Sequence, residues 1–329
     1  KAIEHSLLFL KTFKSGTLRE NVLFGLGSLY SEIKEYDKAG NIFKEFIRLY
    51  TESPKLEEAY FLLGYNLQLS KSLDEALLYY GKIMPGKNEN KLFYSALKNK
   101  ALIYLQDEKE NEAAKVYDRI ITELKDNDLG IDTYLWLSKY YLGEKRFNDA
   151  LRILTEAESA PESKLRMKEI AYFRGETYRE LKSFEKAIDN YDIVLSDMGE
   201  DVFSGASRIG KGLCLVELGE LERAKSEFEE AILENSDDNT ITMRARFELA
   251  NIEQLKDELE EAYKLYMLVA ILYNDDYYCP EALFRAGTIF EVLGKNDEAR
   301  KVYQEIVDKY GKSHLISKVK KRLKALSEK

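Results

Sequence analysis

The chain has 329 residues, 45% of them hydrophobic and 33% charged, with only four prolines. Its formal net charge of −9 argues against sequence-independent nucleic-acid binding, which needs Lys and Arg to neutralise phosphates. No apolar run approaches the ~18 residues of a membrane span, and no signal peptide is visible.

In chain order, residues 1–19 read as the second helix of a truncated repeat: a helix over 1–13 with Ile3, Leu7, Leu8, Leu10 and Phe13 on its buried side, stopped by Gly16. From residue 20 a unit recurs. Its first copy reads Leu23-x-x-Leu26-Gly27-x-x-Tyr30, then Ala39-x-x-x-Phe43. The small residue and the alanine twelve positions later recur as Gly27/Ala39, Gly64/Ala76, Ala101/Ala113, Ser138/Ala150, Gly175/Ala187, Gly212/Ala224, Ala250/Ala262 and Gly287/Ala299. The step is 37 residues, with one step of 38. This predicts eight helix-turn-helix units across residues 20–313, starting near 20, 57, 94, 131, 168, 205, 243 and 280.

Two antiparallel helices pack about 8–10 Å apart, so small residues are expected where their axes come closest. Larger apolar residues fill the space beside the crossing. Phe43, Tyr80, Tyr117, Tyr191, Phe228, Tyr266 and Tyr303 stand four after the alanine. Two before it stand Asp37, Asp74, Asn111, Asn148, Glu185, Glu222, Glu260 and Asp297, which suit capping of the second helix. The unit around Ala250 departs most, with Glu253 where the others favour Tyr. The stretches Ser53-Pro54, Pro85-Gly86-Lys87-Asn88, 126–130, Met198-Gly199-Glu200-Asp201 and 236–239 carry loop chemistry. Residues 314–329 predict a capping helix, with Leu315, Val319, Leu323 and Leu326 inward and Lys318, Lys320, Lys321, Arg322 and Lys324 as a basic face. That face suits an anionic partner as well as the negative end of the helix.

The pattern resembles the tetratricopeptide repeat (TPR) family, in a bacterial-type form with a longer period than the family's usual ~34 residues. The resemblance implies an all-α fold: an α-α superhelix (TPR solenoid) of about eight repeats, preceded by an N-terminal half repeat and closed by a C-terminal capping helix. Since such stacks seldom start on an uncapped half repeat, the chain is expected to be part of a longer protein. The final repeat is similar to those of bacterial cell-envelope lipoproteins that serve outer-membrane assembly. This points to the periplasmic side of a bacterial envelope. Cys214 and Cys279, nearly two repeats apart and therefore read as free thiols, point instead to a reducing, cytoplasmic setting.

Catalytic constellations are not found. The histidines, His5 and His314, stand at opposite ends. Residues 205–212 imitate a phosphate loop but carry Gly212 where Ser or Thr would hold magnesium. Asp126-x-Asp128 fails as a calcium loop, with Gly130 where a ligand belongs. No cofactor, metal or enzymatic activity is expected.

In the family the first helices line a groove. Relatives that clamp a C-terminal carboxylate use Lys and Asn at positions held here by Phe24/Ser28, Phe61/Tyr65, Tyr172/Glu176 and Phe284/Thr288, so that clamp is not expected. Polar Asn21, Glu58, Arg244, Asn251 and Glu281 flank a more apolar middle: Leu135, Trp136, Tyr172, Phe173, Ile209, Leu213 and Val216. Those seven are the candidate partner-binding residues, Trp136 as anchor, against the competing reading that Trp136 and Phe173, which follow Leu135 and Tyr172, pack between repeats. The resemblance implies a non-catalytic protein-protein interaction scaffold. It would hold a peptide or helix of a partner in its groove, as part of a multiprotein assembly. The alternative is the regulatory or docking region of a larger enzyme.

Overall fold

The computed structural model describes residues 1–85, 91–124, 128–196 and 202–328. The expected loop residues 86–88, 126–127 and 198–201 lie outside them, as does the start of the Asp126-x-Asp128 motif. Eighteen α-helices and no strand occur among the described residues. They gather in two compact units, Lys1–Thr133 and Tyr134–Lys329.

The first unit holds α1 (Ala2–Thr12), α2 (Thr17–Glu32), α3 (Tyr36–Leu49), α4 (Leu56–Leu69), α5 (Leu73–Tyr80), α6 (Lys91–Gln106) and α7 (Glu110–Glu123). Helix α8 (Ile131–Gly143) begins there and lies mostly in the second unit. The second unit continues with α9 (Phe147–Ala157), α10 (Met167–Glu180), α11 (Phe184–Leu195), α12 (Ser204–Glu217) and α13 (Leu221–Glu234). It ends with α14 (Asn239–Leu255), α15 (Leu259–Leu272), α16 (Tyr278–Val292), α17 (Asn296–Lys309) and α18 (Ile316–Ser327). A short 3-10 segment, Ser163–Arg166, leads into α10.

The small-residue slot has a more specific cause than close helix axes. Gly27, Gly64, Gly175, Gly212 and Gly287 each face the aromatic ring sixteen residues on: Phe43, Tyr80, Tyr191, Phe228 and Tyr303. A Cβ on Gly175 would stand 2.8 Å from Tyr191 Cε1, well inside van der Waals contact. The ring of the second helix therefore lies against the bare backbone of the first, and these rings are almost completely buried. The tyrosine hydroxyls emerge on first-helix acceptors: Tyr80 donates to Gln68 Oε1 (3.0 Å), Tyr191 to Glu176 Oε1 (2.5 Å) and Tyr303 to Glu291 Oε1 (2.6 Å).

The turn between paired helices is also uniform. The residue five before each alanine has a left-handed backbone: Lys34, Lys71, Glu108, Lys145, Lys182, Gly219, Asp257 and Gly294. The next residue's N–H bonds the carbonyl five residues back, from Glu35 to Tyr30 through Lys295 to Phe290, at 2.8–2.9 Å in all eight turns. This is the closure expected of a Schellman-type helix end.

Two expectations need correction. Asp37 and its seven counterparts do not cap the second helices. The caps are Glu35, Ser72, Lys109, Arg146, Ser183, Glu220, Glu258 and Lys295, none with a side-chain cap bond. The acidic members instead sit inside the first turn, where charge meets the positive helix end. Side-chain capping occurs at the other junction, where Asp238 accepts from Thr240 N (2.8 Å) and Ile241 N (3.1 Å) ahead of α14. Second, the apolar side of α1 is not a buried one: Ile3 and Leu10 are half-covered, whereas Leu7, Leu8 and Phe13 are exposed, because α1 packs chiefly against α2.

Glu253, in the Tyr slot, is buried and held by Lys225 Nζ at 2.8 Å. Its burial is thus matched by a cation from the preceding helix, the condition under which a buried charge is tolerated. Cys214 and Cys279 are free and buried. Burial pushes the Cys214 thiol up to about 12, so it is not a ready nucleophile.

Candidate functional site

The second unit contains a cleft of about 630 Å³. Its walls come from α10, α12, α14 and α16, the first helices of four successive pairs, which touch one another in order, with Lys182 and Phe184 added from the turn into α11. Counted from each small residue, the lining positions repeat. The residue one on gives Leu213 and Asn251; four on gives Arg179, Val216 and Gln254; five on gives Glu180, Glu217 and Leu255; two back gives Glu248 and Arg285.

The floor is polar and ordered. Tyr266 is completely buried, and its hydroxyl reaches Asn251 Oδ1 and Gln254 Oε1 (2.9 Å). Asn251 Nδ2 then donates to Glu248 Oε2 at 2.8 Å. Burial pushes the Glu248 carboxyl above the usual carboxylate range, opposed by the Asn251 bond and by the charges of Arg285 and Arg244. At the α10 end, Arg179 donates to Glu176 at 2.8 Å, and Glu176 also accepts from Tyr191. The apolar wall is Leu213, Val216 and Leu255, the last 63% exposed. Phe61, Tyr94, Lys98 and Asp128 belong to a smaller cleft of about 490 Å³ in the first unit.

The seven sequence candidates do not form one patch. Leu213 and Val216 line the cleft. Leu135 and Ile209 are each 1% exposed and are core residues, because they fall on the inner side of α8 and α12. Tyr172 and Phe173 pack on Phe203, just ahead of α12, at centroid distances of 5.0 and 6.0 Å, and Lys139 Nζ covers the Phe173 ring at 4.5 Å. They join neighbouring repeats, which the competing reading expected of Phe173. Trp136 is half-buried and stacks on Tyr140 at 5.8 Å, and it does not line the cleft. Glu248, Arg285, Arg179, Gln254 and Leu255 were missed. The repeat register itself could have found them, had the lining positions been read rather than the most apolar ones.

At the C-terminal end, Val319 and Leu326 of α18 are buried, and Arg322 pairs with Glu291 at 2.7 Å. Lys318, Lys320, Lys321 and Lys324 are exposed. Among the described residues no helix is long and apolar enough to cross a membrane, and no group of three or more His, Cys, Asp or Glu is placed to hold a metal ion.

A family profile described as "Tetratricopeptide repeat-like domain" matches residues 203–328, and one described as "Tetratricopeptide repeat" matches residues 21–53. No curated protein matches the chain by sequence. Among solved structures, a chain of Naa15/Naa10 bound to HypK-THB aligns at TM-score 0.55 and 16% identity, over 90% of this chain and 43% of that one. The apo form of RapI aligns at 0.54 and 14%, over 88% and 86%. PilW, described as a type IV pilus biogenesis factor, aligns at 0.50 and 16%, over 71% and 98%. At such identities the likeness is one of fold. Paired helices, small-residue slots and both profile matches agree: residues 21–53 and 203–328 carry tetratricopeptide repeats, a repeat whose family binds protein or peptide partners.

Proposed function

We propose that the chain is a non-catalytic scaffold that holds a peptide or helix of a partner protein in the cleft of its second unit, as one member of a multiprotein assembly. The observation that carries this is the cleft itself: exposed Leu255 beside Leu213 and Val216, over an ordered polar floor. Leu-sized side chains contribute roughly 1.5–3 kcal/mol each on full burial. Three of them, with polar contacts and after association costs, support a complex near micromolar, about −8 kcal/mol.

The test is selection of N-terminally displayed random dodecapeptides on the full chain, followed by fluorescence anisotropy with the enriched peptides. Leu255→Arg should weaken their binding at least tenfold with an unchanged melting temperature, since this side chain is largely exposed. Enriched peptides that bind Leu255→Arg as tightly as the parent, or no enrichment over bare support, would overturn the reading.

A further inference from the structure

The lining of the cleft holds Arg179, Lys182 and Arg285 and, equal in number, Glu180, Glu217 and Glu248. As a whole it selects no charge of either sign. Its central oxygens are also taken. The Tyr266 hydroxyl donates to Asn251 Oδ1 and Gln254 Oε1, Asn251 Nδ2 donates to Glu248 Oε2, and Glu176 accepts from Tyr191 and Arg179. Arg285 donates to the Tyr266 hydroxyl. What is left open is apolar and stepped, with one place on each of three successive first helices. Leu213 and Val216 provide it on α12 and Leu255 on α14. Val292, 74% exposed, has the register of Leu255 one pair further on, in α16.

These helices touch in order, and packed helices lie about 8–10 Å apart, so the three places recur at about that spacing. A β-strand sets its same-face side chains about 6.6 or 13 Å apart, and neither distance fits. A polyproline II segment returns to one face every three residues, about 9.3 Å. An α-helix does so every seven, about 10.5 Å. Both match in length and differ in what they ask of the floor. The polyproline II segment makes no internal hydrogen bonds, so its backbone groups need partners or water. The helix closes its own. With the central oxygens occupied, the cleft suits the helix.

Resting on the cleft reading above, we propose that the partner segment is an amphipathic α-helix lying across α12, α14 and α16, held by apolar side chains at i, i+7 and i+14 on a face without fixed charge. Fourteen steps of a helix cover about 21 Å, so a segment of about fifteen residues is the shortest that reaches all three places.

The test is a displayed library of random twenty-residue segments, selected on the full chain, with synthetic copies of the enriched segments measured by fluorescence anisotropy. Their apolar residues should recur with a period of seven. Proline placed midway between two apolar anchors should weaken binding at least tenfold, because it breaks a helix, whereas a polyproline II segment admits it. Val292→Arg, at an exposed position, should weaken binding at least fivefold with an unchanged melting temperature. An apolar period of two or three, a smaller loss on proline, or a smaller loss with Val292→Arg would each overturn the helix. If those same segments still lose at least tenfold on Leu255→Arg, the cleft reading stands without it. Segments indifferent to Leu255→Arg, or no enrichment at all, would sink the cleft reading and the helix with it.

Discussion

Alanine at Gly287 and alanine at Gly25 should change stability in opposite directions, although both replace a glycine inside a helix. Helix propensity favours alanine over glycine by about 1 kcal/mol at either place. At Gly25 a Cβ meets nothing within 4 Å, so up to about 1 kcal/mol of stabilisation should appear. At Gly287 the Cβ would stand 2.7 Å from Tyr303 Cζ and closer still to Cε1. That ring is completely buried and tethered by its hydroxyl to Glu291 Oε1, which also accepts from Arg322. Displacing it brings an overpacking cost of about 1–3 kcal/mol and strains a bond to a charged acceptor worth about 1.5–3 kcal/mol. After the propensity gain, Gly287→Ala should destabilise by about 1.5–5 kcal/mol. Urea unfolding followed by far-UV circular dichroism gives the shift in midpoint and checks that the slope is unchanged. Because two units need not unfold together, hydrogen exchange of the α16–α18 amides locates the effect. Equal or greater stability for Gly287→Ala, or the same sign for both variants, would refute the ring-on-backbone account.

Removing residues 316–329 uncovers the side of α17 that Val319 and Leu326 protect and deletes the Arg322–Glu291 pair. Two such side chains contribute roughly 1.5–3 kcal/mol each, so a markedly lower melting temperature and association by light scattering are expected; unchanged melting and monodispersity would show that α18 is no cap. Glu248→Gln should stabilise the fold at neutral pH and have little effect well below pH 4.5, the ordinary carboxylate value. The sign follows from a folded-state value raised by burial: above 4.5 the unfolded chain releases this proton before the folded chain does, so stability falls as pH rises through the window. Parallel pH–stability curves for parent and variant would count against a buried, costly Glu248.

The fold was legible because its cause is periodic. A glycine under a ring, an alanine in the second helix and an aromatic four residues later recur at fixed spacing, and spacing survives in sequence. The cleft was less legible for a physical reason. Apolar character alone does not separate Leu213, which lines the cleft, from Ile209, four residues earlier and 1% exposed. Trp136 and Phe173 drew the reading for their size, yet large aromatics fill joints between repeats as readily as they face a partner. The polar lining was harder still, since Glu248 and Arg285 resemble any solvated residues until their burial and their neighbours are known. The N-cap expectation failed for a related reason: the caps contribute backbone carbonyls, which leave no mark on residue identity.

The eight turns built on a left-handed residue carry a consequence for how such a chain can change. Their closing bonds run from backbone to backbone, and the left-handed position accepts Lys, Glu, Asp and Gly alike. The angle within a pair is therefore held by groups every amino acid possesses, while the positions that line the cleft lie mostly on the first helices, and at Lys182, which is both a turn residue and a lining one, the turn uses only the backbone. Recognition and architecture are written in separate letters. Under the proposed function, exchanging Leu255 for another residue would alter what the cleft binds without altering the ruler against which it is read.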